Sequence, residues 1–427
     1  MCVKSLQKFG RKELAMTDVC ERPGGRQWPR WSEIAPLLTP KPFVLNGPRR
    51  RAASAACTDD FRRISRRRAP RAVFDYVDGG AENEVSLRRS RQMFDRIEFC
   101  PRVLHDVGDI DTSSTVLGRP AAMPVIIGPT GFTRVMHRDG ERAVARAAAA
   151  AGIPYALSTM GTTSIESVAQ AAPRGRRWFQ LYLWRDRDKS RELIERAALA
   201  GYEALVMTVD TAVPGSRLRD VRNGMTIPPR LSVRTFLDGA IRPWWWFDLL
   251  TTPQLEFASL HNWHGTVAEL AQQLFDPTIT TDDLAWLRSC WPGKLIVKGV
   301  QSADDAVRAV DCGVDGIVVS NHGGRQLDRA RVPLEQLPTI AAAVGGQAEI
   351  FVDGGITNGA DVVAALCMGA SAALLGRAPL YALMAAGEHG VRRLTAILHD
   401  EIGRTMQLLG ARSIKDLTPD HIRLRDN

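Results

Sequence analysis

Short apolar runs alternate with stretches of helical spacing along most of the chain. From residue 123 onward, each apolar run ends in a small or polar residue and an amphipathic stretch follows. Such runs are typical of buried strands, and apolar residues at intervals of three and four are typical of helices. We predict strands at 125–129, 155–158, 178–183, 204–209, 294–298, 316–320, 349–353 and 372–376. The helices predicted between them include 140–151, 165–171, 190–200, 303–310 and 360–368.

Eight strand–helix repeats in series predict an α/β fold, a parallel (β/α)8 barrel. An open doubly wound sheet is the alternative, and it usually contains fewer repeats. We expect the barrel domain to span 58–412, with a loop insertion at about 211–280 after the fourth strand. A helix is expected at 380–409, followed by a polar tail at 413–427.

The N-terminal part differs from the rest of the chain. Residues 1–57 mix Pro, Gly, Arg and Lys without a sustained period, which predicts a loosely structured extension with one short helix at 31–38. The sequence allows a start at Met1 or at Met16. A helical segment is expected to begin near residue 58, with Thr58 or Asp59 as its cap. Helical spacing then carries the apolar residues Phe61, Ile64, Ala69 and Val73.

Composition narrows the class of protein. A chain of 427 residues with 45% hydrophobic residues is long and apolar enough for a large globular core. Its seven cysteines are odd in number and form no Cys-x-x-Cys pair, which predicts a reducing compartment without disulfides or a zinc site. No run of about 18 apolar residues and no secretory signal is present, so we expect a cytoplasmic protein.

The net charge of +9 comes mainly from arginine, with runs at 49–51 and 66–68. Such runs are typical of a solvated face, and contact with acidic lipid is the sharper alternative. No nucleic-acid motif with interleaved aromatic residues is present, so no nucleic-acid partner is expected. The long loop contains Trp244-Trp245-Trp246-Phe247. It predicts either a lid or subunit contact, or a peripheral contact with the inner face of the membrane, where Arg242 meets lipid phosphates.

Polar residues end almost every predicted strand. Because the active site of a (β/α)8 barrel lies at the C-terminal ends of its strands, we expect one shared site. His322 and Arg325 combine a base near neutral pH with a guanidinium fork, which suits a substrate that carries a carboxylate and a removable proton. The other strand-end residues are Thr130, Gly131, Ser158, Gln180, Tyr182, Thr208, Asp210, Lys298, Asp353, Gly354, Gly355, Gly376 and Arg377.

Two features of these strand ends favour flavin mononucleotide (FMN) as a ligand. Gly-rich turns after the seventh and eighth strands, with Arg377, match the usual phosphate site of a barrel. Gln180, Ser158 and Thr208 suit the edges of a heterocycle, and the buried Lys298 would be a cation near its ring. Two readings without flavin stay open: an aldolase in which Lys298 forms a Schiff base, and a non-catalytic binder of a phosphate ligand.

One motif in the chain is specific: Ser320-Asn321-His322-Gly323-Gly324-Arg325-Gln326-Leu327-Asp328. With it, the chain resembles the FMN-dependent α-hydroxy acid dehydrogenases and oxidases from about residue 58 to 410. Other matching motifs are Phe74-Asp75-Tyr76, Gly128-Pro129-Thr130-Gly131, Phe179-Gln180-Leu181-Tyr182, Thr208-Val209-Asp210, Val297-Lys298-Gly299 and Leu375-Gly376-Arg377. The stretches 217–225 and 244–250 are most similar to bacterial respiratory L-lactate dehydrogenases.

The resemblance implies roles for the matching residues. Those toward the substrate are His322 as catalytic base, Tyr76, Tyr182, Arg217 and Arg325 as binding residues, and Asp210 as support for the imidazolium. Those toward FMN are Pro129, Thr130, Gly131, Ser158, Gln180, Thr208, Lys298, Ser320, Asp353, Gly354, Gly355, Ile356, Thr357, Gly376 and Arg377, and no metal is implied. Many members carry arginine at the position of Thr357, so Arg377 and the backbone would hold the phosphate here. Gly131 resembles the dehydrogenases, whereas oxidases tend to carry alanine.

The resemblance also implies the reaction. We expect oxidation of a small L-2-hydroxy acid, above all L-lactate to pyruvate, with electrons passed to a quinone or another carrier by a homotetramer. Met160 and Phe132 are expected to shape the far end of the substrate pocket. The alternatives are an oxidase or monooxygenase that uses O2, and a flavoenzyme that matures a peptide-derived redox cofactor.

Overall fold

The structure is a computed structural model, which describes residues 30–35, 46–224, 238–252 and 275–425. The chain divides into two compact units, Met1–Val44 and Leu45–Asn427. In the first unit, the described residues contain helix α1, Trp31–Ile34. Residues 36–38 of the helix predicted there lie outside the described residues, as does Met16. The elements that follow belong to the second unit.

Four helices and three short strands precede the barrel in the described part of this unit. They are α2 Gly47–Ser54, α3 Thr58–Arg68, α4 Arg71–Asp78, α5 Val85–Asp95, β1 Ile97–Phe99, β2 Ser114–Val116 and β3 Arg119–Ala121. The sequence predicts no regular element where α2 forms. Asn46 caps this helix by accepting a hydrogen bond from the backbone N–H of Arg49. The predicted cap of α3 is wrong, because Cys57 rather than Thr58 or Asp59 is its N-cap residue.

Pro70 divides the helical segment predicted around residues 61–73 into two helices. Because proline disfavours helical geometry in the residue before it, Ala69 is extended, with φ −82° and ψ 148°. Phe61 on α3 and Val73 on α4 are nevertheless both buried. The second helix ends at Gly79 and therefore carries Tyr76 in its last turn.

Eight parallel strands close into a barrel in their order along the chain. They are β4 Val125–Ile127, β5 Tyr155–Ser158, β6 Arg177–Leu181, β7 Ala204–Thr208, β8 Lys294–Val300, β9 Gly316–Val319, β10 Glu349–Val352 and β11 Ala372–Leu375. The last strand pairs with the first, with Leu375 opposite Ile127. The predicted (β/α)8 barrel is confirmed, and each predicted strand coincides with an observed one.

Alternation along the strands separates two apolar layers. One set of side chains fills the barrel itself and includes Ile126, Trp178, Val206, Val318 and Phe351. The alternate residues on each strand form the other set, and their side chains pack against the surrounding helices. The hairpin of β2 and β3 contributes Val116 and Leu117 to the interior layer. A filled interior leaves the strand ends as the place for a site.

The remaining described helices lie between and after these strands. They are α6 Thr133–Met136, α7 Gly140–Ala150, α8 Ile165–Ala171, α9 Arg187–Leu199, α10 Leu218–Arg222, α11 Pro243–Leu250, α12 Thr281–Cys290, α13 Ala303–Asp311, α14 Pro333–Val344, α15 Gly359–Cys367 and α16 Arg377–Leu409. Within α16, Gly387 adopts φ 60°, which breaks the helix geometry. Helices α2, α3 and α7 pack against α16. None of the described helices is long and apolar enough to cross a membrane.

Two expectations about irregular segments are corrected. The long connection after β7 contains helices α10 and α11, although the sequence predicts no helix before about residue 281. Residues 225–237 and 253–274 of this connection lie outside the described residues. The polar tail contains a strand, β12 Ile422–Leu424, which pairs antiparallel with β1. Its pairing partner lies more than three hundred residues earlier in the chain, so local patterns do not reveal it.

Candidate active site

One cavity of about 1140 Å³ opens at the C-terminal ends of the barrel strands. Most of the predicted site residues line it: Tyr76, Pro129, Thr130, Gly131, Ser158, Tyr182, Arg217, Lys298, His322, Arg325, Asp353, Gly354, Gly355, Ile356, Thr357, Gly376 and Arg377. Four others, Gln180, Thr208, Asp210 and Ser320, are not part of the lining. Three of them hydrogen-bond to lining residues, and Thr208 lies opposite Lys298 in the sheet register.

His322 lies in a tight turn directly after β9. Both His322 and Gly323 have left-handed backbone conformations, with φ 57° and 63°. The side chain of Asn321 fixes the turn by accepting from the N–H of Gly324 at 3.0 Å, and Ser320 Oγ accepts from the N–H of His322 at 3.0 Å. This strained turn points the imidazole into the cavity that His322 lines.

Asp210 orients the imidazole of His322. Its Oδ1 lies 3.0 Å from Nδ1 of His322. Burial alone would raise the pKa of Asp210, but the charges of His322 and Lys298 outweigh burial and lower it. The ionised carboxylate can only accept, so Nδ1 carries the proton and Nε2 of the neutral ring is a base.

Two guanidinium groups lie against the ring of Tyr76. Cζ of Arg325 is 4.9 Å and Cζ of Arg217 is 5.4 Å from the ring centroid. Arg325 is anchored by donating from Nη1 to the carbonyl oxygen of Tyr76 at 2.6 Å. Burial and the neighbouring Arg217 lower the pKa of Arg325 to about 10, so it is still cationic at pH 7. Two adjacent cations with a phenol between them form a site for a carboxylate.

The segment that carries Arg217 is tied to the helix that carries Tyr76. Arg219, in α10, donates to Asp78 at 3.0 Å and to Glu84 at 2.5 Å. Arg217 itself lies 2.9 Å from Asp220. Burial raises the pKa of Asp220 in spite of Arg217. Arg219 and Asp220 belong to a motif that the sequence singles out, but their supporting contacts are visible only in the fold.

Lys298 is the buried cation of the site, with 5% of its surface exposed. Its Nζ donates to Ser320 Oγ at 2.9 Å and lies 3.3 Å from Asp353 Oδ2. Burial would lower the pKa of Lys298, but Asp353 and Asp210 outweigh burial and raise it. The paired ammonium is protonated and therefore a poor nucleophile, which argues against the Schiff-base alternative.

The polar groups around Lys298 fit a flavin ring. Ser158 donates to Gln180 Oε1 at 2.9 Å. Gln180 Nε2 and Asp353 Oδ1 are buried and have no hydrogen-bond partner among the described residues. Buried polar atoms without partners are costly, so these two atoms suit a ligand that offers an acceptor to Gln180 and a donor to Asp353. A heterocycle such as the isoalloxazine ring meets that requirement.

The opposite end of the cavity fits a phosphate. Gly354 and Gly355 have φ 94° and 82°, which non-glycine residues rarely adopt. A Cβ atom built on Gly376 would have no protein atom within 4 Å, so the backbone there borders open space. Gly376 also precedes α16, whose N-terminal N–H groups favour an anion.

Arg377 lies at this end as predicted, but its guanidinium is engaged. Its Nε donates to the carbonyl oxygen of Val77 at 2.8 Å, and its Nη2 donates to that of Gly79 at 2.7 Å. Sequence reasoning missed a second arginine, Arg91 on α5, which also lines the cavity. Its partners in the fold lie more than 250 residues later in the chain, so no local signal reveals it.

The comparisons with known proteins agree with this geometry. The profile of the family described as "FMN-dependent dehydrogenase" matches residues 65–424. The chain belongs to this family. It is therefore an FMN-dependent oxidoreductase that oxidises a 2-hydroxy acid, as the resemblance implies.

Two relatives and one solved structure show the range of proteins that the chain is similar to. It is 55% identical over 397 residues to a Mycobacterium tuberculosis protein named "Putative L-lactate dehydrogenase", covering 93% of this chain and 96% of that protein. It is 40% identical over 368 residues to an L-lactate oxidase from Nostoc sp., covering 86% and 97%. The crystal structure of the monotopic membrane protein (S)-mandelate dehydrogenase superposes with a TM-score of 0.83 at 39% identity, covering 87% of this chain and 100% of that one.

Proposed function

We propose that the chain oxidises L-lactate to pyruvate and passes the electrons to a quinone or another carrier. The observation that carries the proposal is the pairing of His322 and Asp210 opposite the guanidinium groups of Arg217 and Arg325 in one cavity. This arrangement combines a base with an anion site. The relative that is 55% identical is named for L-lactate, which favours this acid over mandelate.

The substrate carboxylate binds to Arg217 and Arg325, which also hold the α-carbon in place. Tyr76 and Tyr182 hydrogen-bond the substrate oxygens. Burial and Asp210 raise the pKa of Tyr182, so its hydroxyl keeps its proton and donates. A fixed orientation lets the binding energy serve alignment.

His322 takes up one substrate proton on Nε2. Lactate loses two electrons and two protons in becoming pyruvate: one proton goes to His322, and the other would leave with the two electrons to bound FMN. Asp210 stabilises the imidazolium that forms. Bound FMN supplies the two-electron acceptor. The residues proposed to hold its ring are Pro129, Thr130, Gly131, Ser158, Gln180, Thr208, Lys298 and Ser320. Those proposed for the ribityl phosphate are Asp353, Gly354, Gly355, Ile356, Thr357, Gly376 and Arg377.

An oxidase is the second candidate, because a 40% identical relative is named L-lactate oxidase. Gly131 supports the dehydrogenase. A Cβ atom at this position would lie 2.8 Å from Cβ of Met160, so alanine would require Met160 to move. Release of hydrogen peroxide at a rate matching lactate consumption would identify an oxidase instead.

The experiment that tests the reaction is anaerobic reduction of the bound flavin. L-lactate, D-lactate, glycolate and (S)-mandelate are added separately, and bleaching of the flavin absorbance is followed by stopped flow. Rapid bleaching by L-lactate, at least about tenfold faster than by the other acids, is expected. Absence of bleaching by any acid with the flavin intact would contradict the proposal and favour the maturation of a peptide-derived redox cofactor.

We also propose that α11 contacts a membrane surface. Its outward face carries Trp244, Phe247 and Leu250, which are 70%, 57% and 76% exposed. Trp245 faces inward and donates to the carbonyl oxygen of Val135 at 2.9 Å. Large exposed apolar residues on one helix face suit the membrane interface. Arg242 is bound by Asp238 at 2.7 Å, so the expected contact of Arg242 with lipid phosphates is not part of the proposal.

Replacing Trp244, Phe247 and Leu250 by Ser is expected to reduce sedimentation with phospholipid vesicles by about tenfold or more, because each exposed side chain contributes apolar area. Activity with a soluble dye should be unchanged. Trp245→Ser is the control, since Trp245 packs inward and its loss should lower stability instead. Unchanged vesicle binding of the triple variant, or loss of the tetramer expected from the resemblance, would point to a subunit contact.

A further inference from the structure

We propose that Arg91 is the side chain that binds the FMN phosphate in this chain. The inference rests on the proposed position of the phosphate at the ends of β10 and β11. It does not depend on which acid is oxidised. Backbone N–H groups alone provide only partial charges, whereas a phosphate is dianionic near pH 7, so a cation at this end is expected.

The guanidinium of Arg377 is bound away from residues 353–357, so we expect it to contribute only part of the charge that the phosphate needs. Two of its three guanidinium nitrogens donate to the carbonyl oxygens of Val77 and Gly79 at the end of α4. Its Nη1 lies only 2.8 Å from the position of a Cβ built on Gly323, in the turn that carries His322. The guanidinium of Arg377 therefore joins the end of α4 to the His322 turn.

Arg62 is another cation that lines the same cavity, but its partners lie away from residues 353–357. It donates to both carboxylate oxygens of Asp78, at 2.6 and 3.1 Å. Asp78 also accepts from Arg219 and from the hydroxyl of Tyr381. Arg62 thus belongs to the ion-pair cluster between α3, α4 and α10.

Arg91 reaches the phosphate turn directly. Its Nη1 lies 2.8 Å from the carbonyl oxygen of Gly355 and 2.9 Å from Oγ1 of Thr357. The stem packs against the ring of Phe94, with Cζ 5.0 Å from the ring centroid. Of the arginines that line the described cavity, Arg91 is the one that hydrogen-bonds to Gly355 and Thr357. The other cation at this turn, Lys298, pairs with Asp353 at the proposed ring position.

Asp361 holds Arg91 in this position, and the exposed Asp95 lies 3.5 Å from Nη2 of Arg91 and is screened by solvent. Asp361 binds the guanidinium through two oxygens, at 2.5 and 2.9 Å. Asp361 lies in the first turn of α15 and also accepts from the N–H of Thr357, just before that helix, at 2.8 Å. Because Asp361 is shared between the arginine and a helix N-terminus, its charge is already partly compensated, and the guanidinium can serve a second anion.

The test compares FMN with riboflavin, which has the same ring and ribityl chain but no phosphate. Flavin is removed from the purified protein, and each flavin is titrated back while its fluorescence quenching is measured. For Arg91→Met, we expect the affinity for FMN to fall by about 10- to 100-fold, as for loss of a charge-assisted hydrogen bond. The affinity for riboflavin should change by less than about threefold.

Two control variants separate the effect of the positive charge of Arg91 from the effect of its structural contacts. Arg88→Met removes an exposed arginine one turn earlier on α5 that lines the same cavity and donates to the carbonyl oxygen of Asn83; both affinities should stay unchanged. Asp361→Asn weakens the support of Arg91 but keeps its charge, so the preference for FMN over riboflavin should persist. If Arg91→Met does not fold, Arg91→Gln serves in its place, since it retains an amide donor and removes the charge.

Equal losses of FMN and riboflavin affinity in the Arg91 variant would overturn the inference, because they would mean that Arg91 only shapes the turn. Unchanged affinities for both would overturn it as well. Neither outcome would bear on lactate oxidation, which is measured separately by anaerobic reduction of the bound flavin. A failed bleach with an intact FMN preference would leave the role of Arg91 standing.

Discussion

The two ends of the cavity are built in different ways. At the substrate end, charged and aromatic side chains converge from separate elements: Tyr76 from α4, Arg217 from the start of α10, and His322 and Arg325 from the turn after β9. At the phosphate end, the turn after β10 and the start of α16 present mainly glycine backbone. The substrate end depends on several converging side chains, whereas the phosphate end depends on chain geometry and the proposed cation Arg91.

The two ends also differ in what holds their functional residues in position. At the substrate end, the reacting groups are held by carboxylates: Asp210, outside the cavity lining, for His322, and Asp220, within the lining, for Arg217. At the phosphate end, glycines with positive φ set the path of the backbone, and Asp361 holds Arg91 beside it. Substitutions at the first end should change turnover with FMN retained, and those at the second end should change FMN retention with chemistry retained.

The largest effect is expected from His322→Ala. Removing the base should lower kcat with L-lactate by about 10²- to 10⁴-fold, because no other described group occupies its position beside Asp210. The protein should stay yellow, since His322 is at the substrate end. Steady-state dye reduction and the absorbance ratio of flavin to protein measure the two quantities.

Asp210→Asn is the natural companion variant. It keeps the shape of the pair but removes the carboxylate charge, so a smaller loss of turnover is expected than for His322→Ala. Full turnover of His322→Ala would exclude His322 as the base. Loss of flavin in that variant would contradict the separation of the two ends.

The sequence predicts the barrel well because its signals are local. Each strand is a short apolar run, and each strand end carries a polar residue that the closed sheet brings to one face. Breaks in a period are harder to place, and Pro70 splits a helical stretch that spacing alone would join. The antiparallel pairing of β1 with β12 is not predictable from either strand alone, because it depends on tertiary packing.

In the candidate site, too, local motifs are predictable from the sequence and contacts between distant residues are not. Residues in a specific motif, such as His322 and Arg325, are located from the sequence and lie in one cavity. The supporting roles of Arg91 and Arg219 are not, because their partners are distant in the chain. The direction in which Arg377 points is also set by tertiary contacts, here with the carbonyl oxygens at the end of α4.

A smaller effect, confined to the phosphate end, is expected from Gly376→Ala. The backbone of Gly376, with φ −95° and ψ −71°, is accessible to alanine, and the added Cβ would meet no protein atom within 4 Å. The apoprotein should therefore fold with unchanged or slightly higher stability, by up to about 1 kcal/mol. Since the open space beside Gly376 is the proposed place of the phosphate, FMN affinity should fall by about tenfold.

Gly403→Ala provides the matched control for this variant. Gly403 lies in the same helix, and its added Cβ would make only an ordinary contact, 3.9 Å from a methyl group of Thr112. Fluorescence titrations and thermal unfolding of both apoproteins separate cofactor binding from stability. With saturating FMN, kcat of Gly376→Ala should lie within about threefold of the unmodified enzyme, because the substrate end is untouched. A loss of kcat as large as that of His322→Ala would mean that the two ends of the cavity are coupled through the flavin, and that geometry at one end sets chemistry at the other.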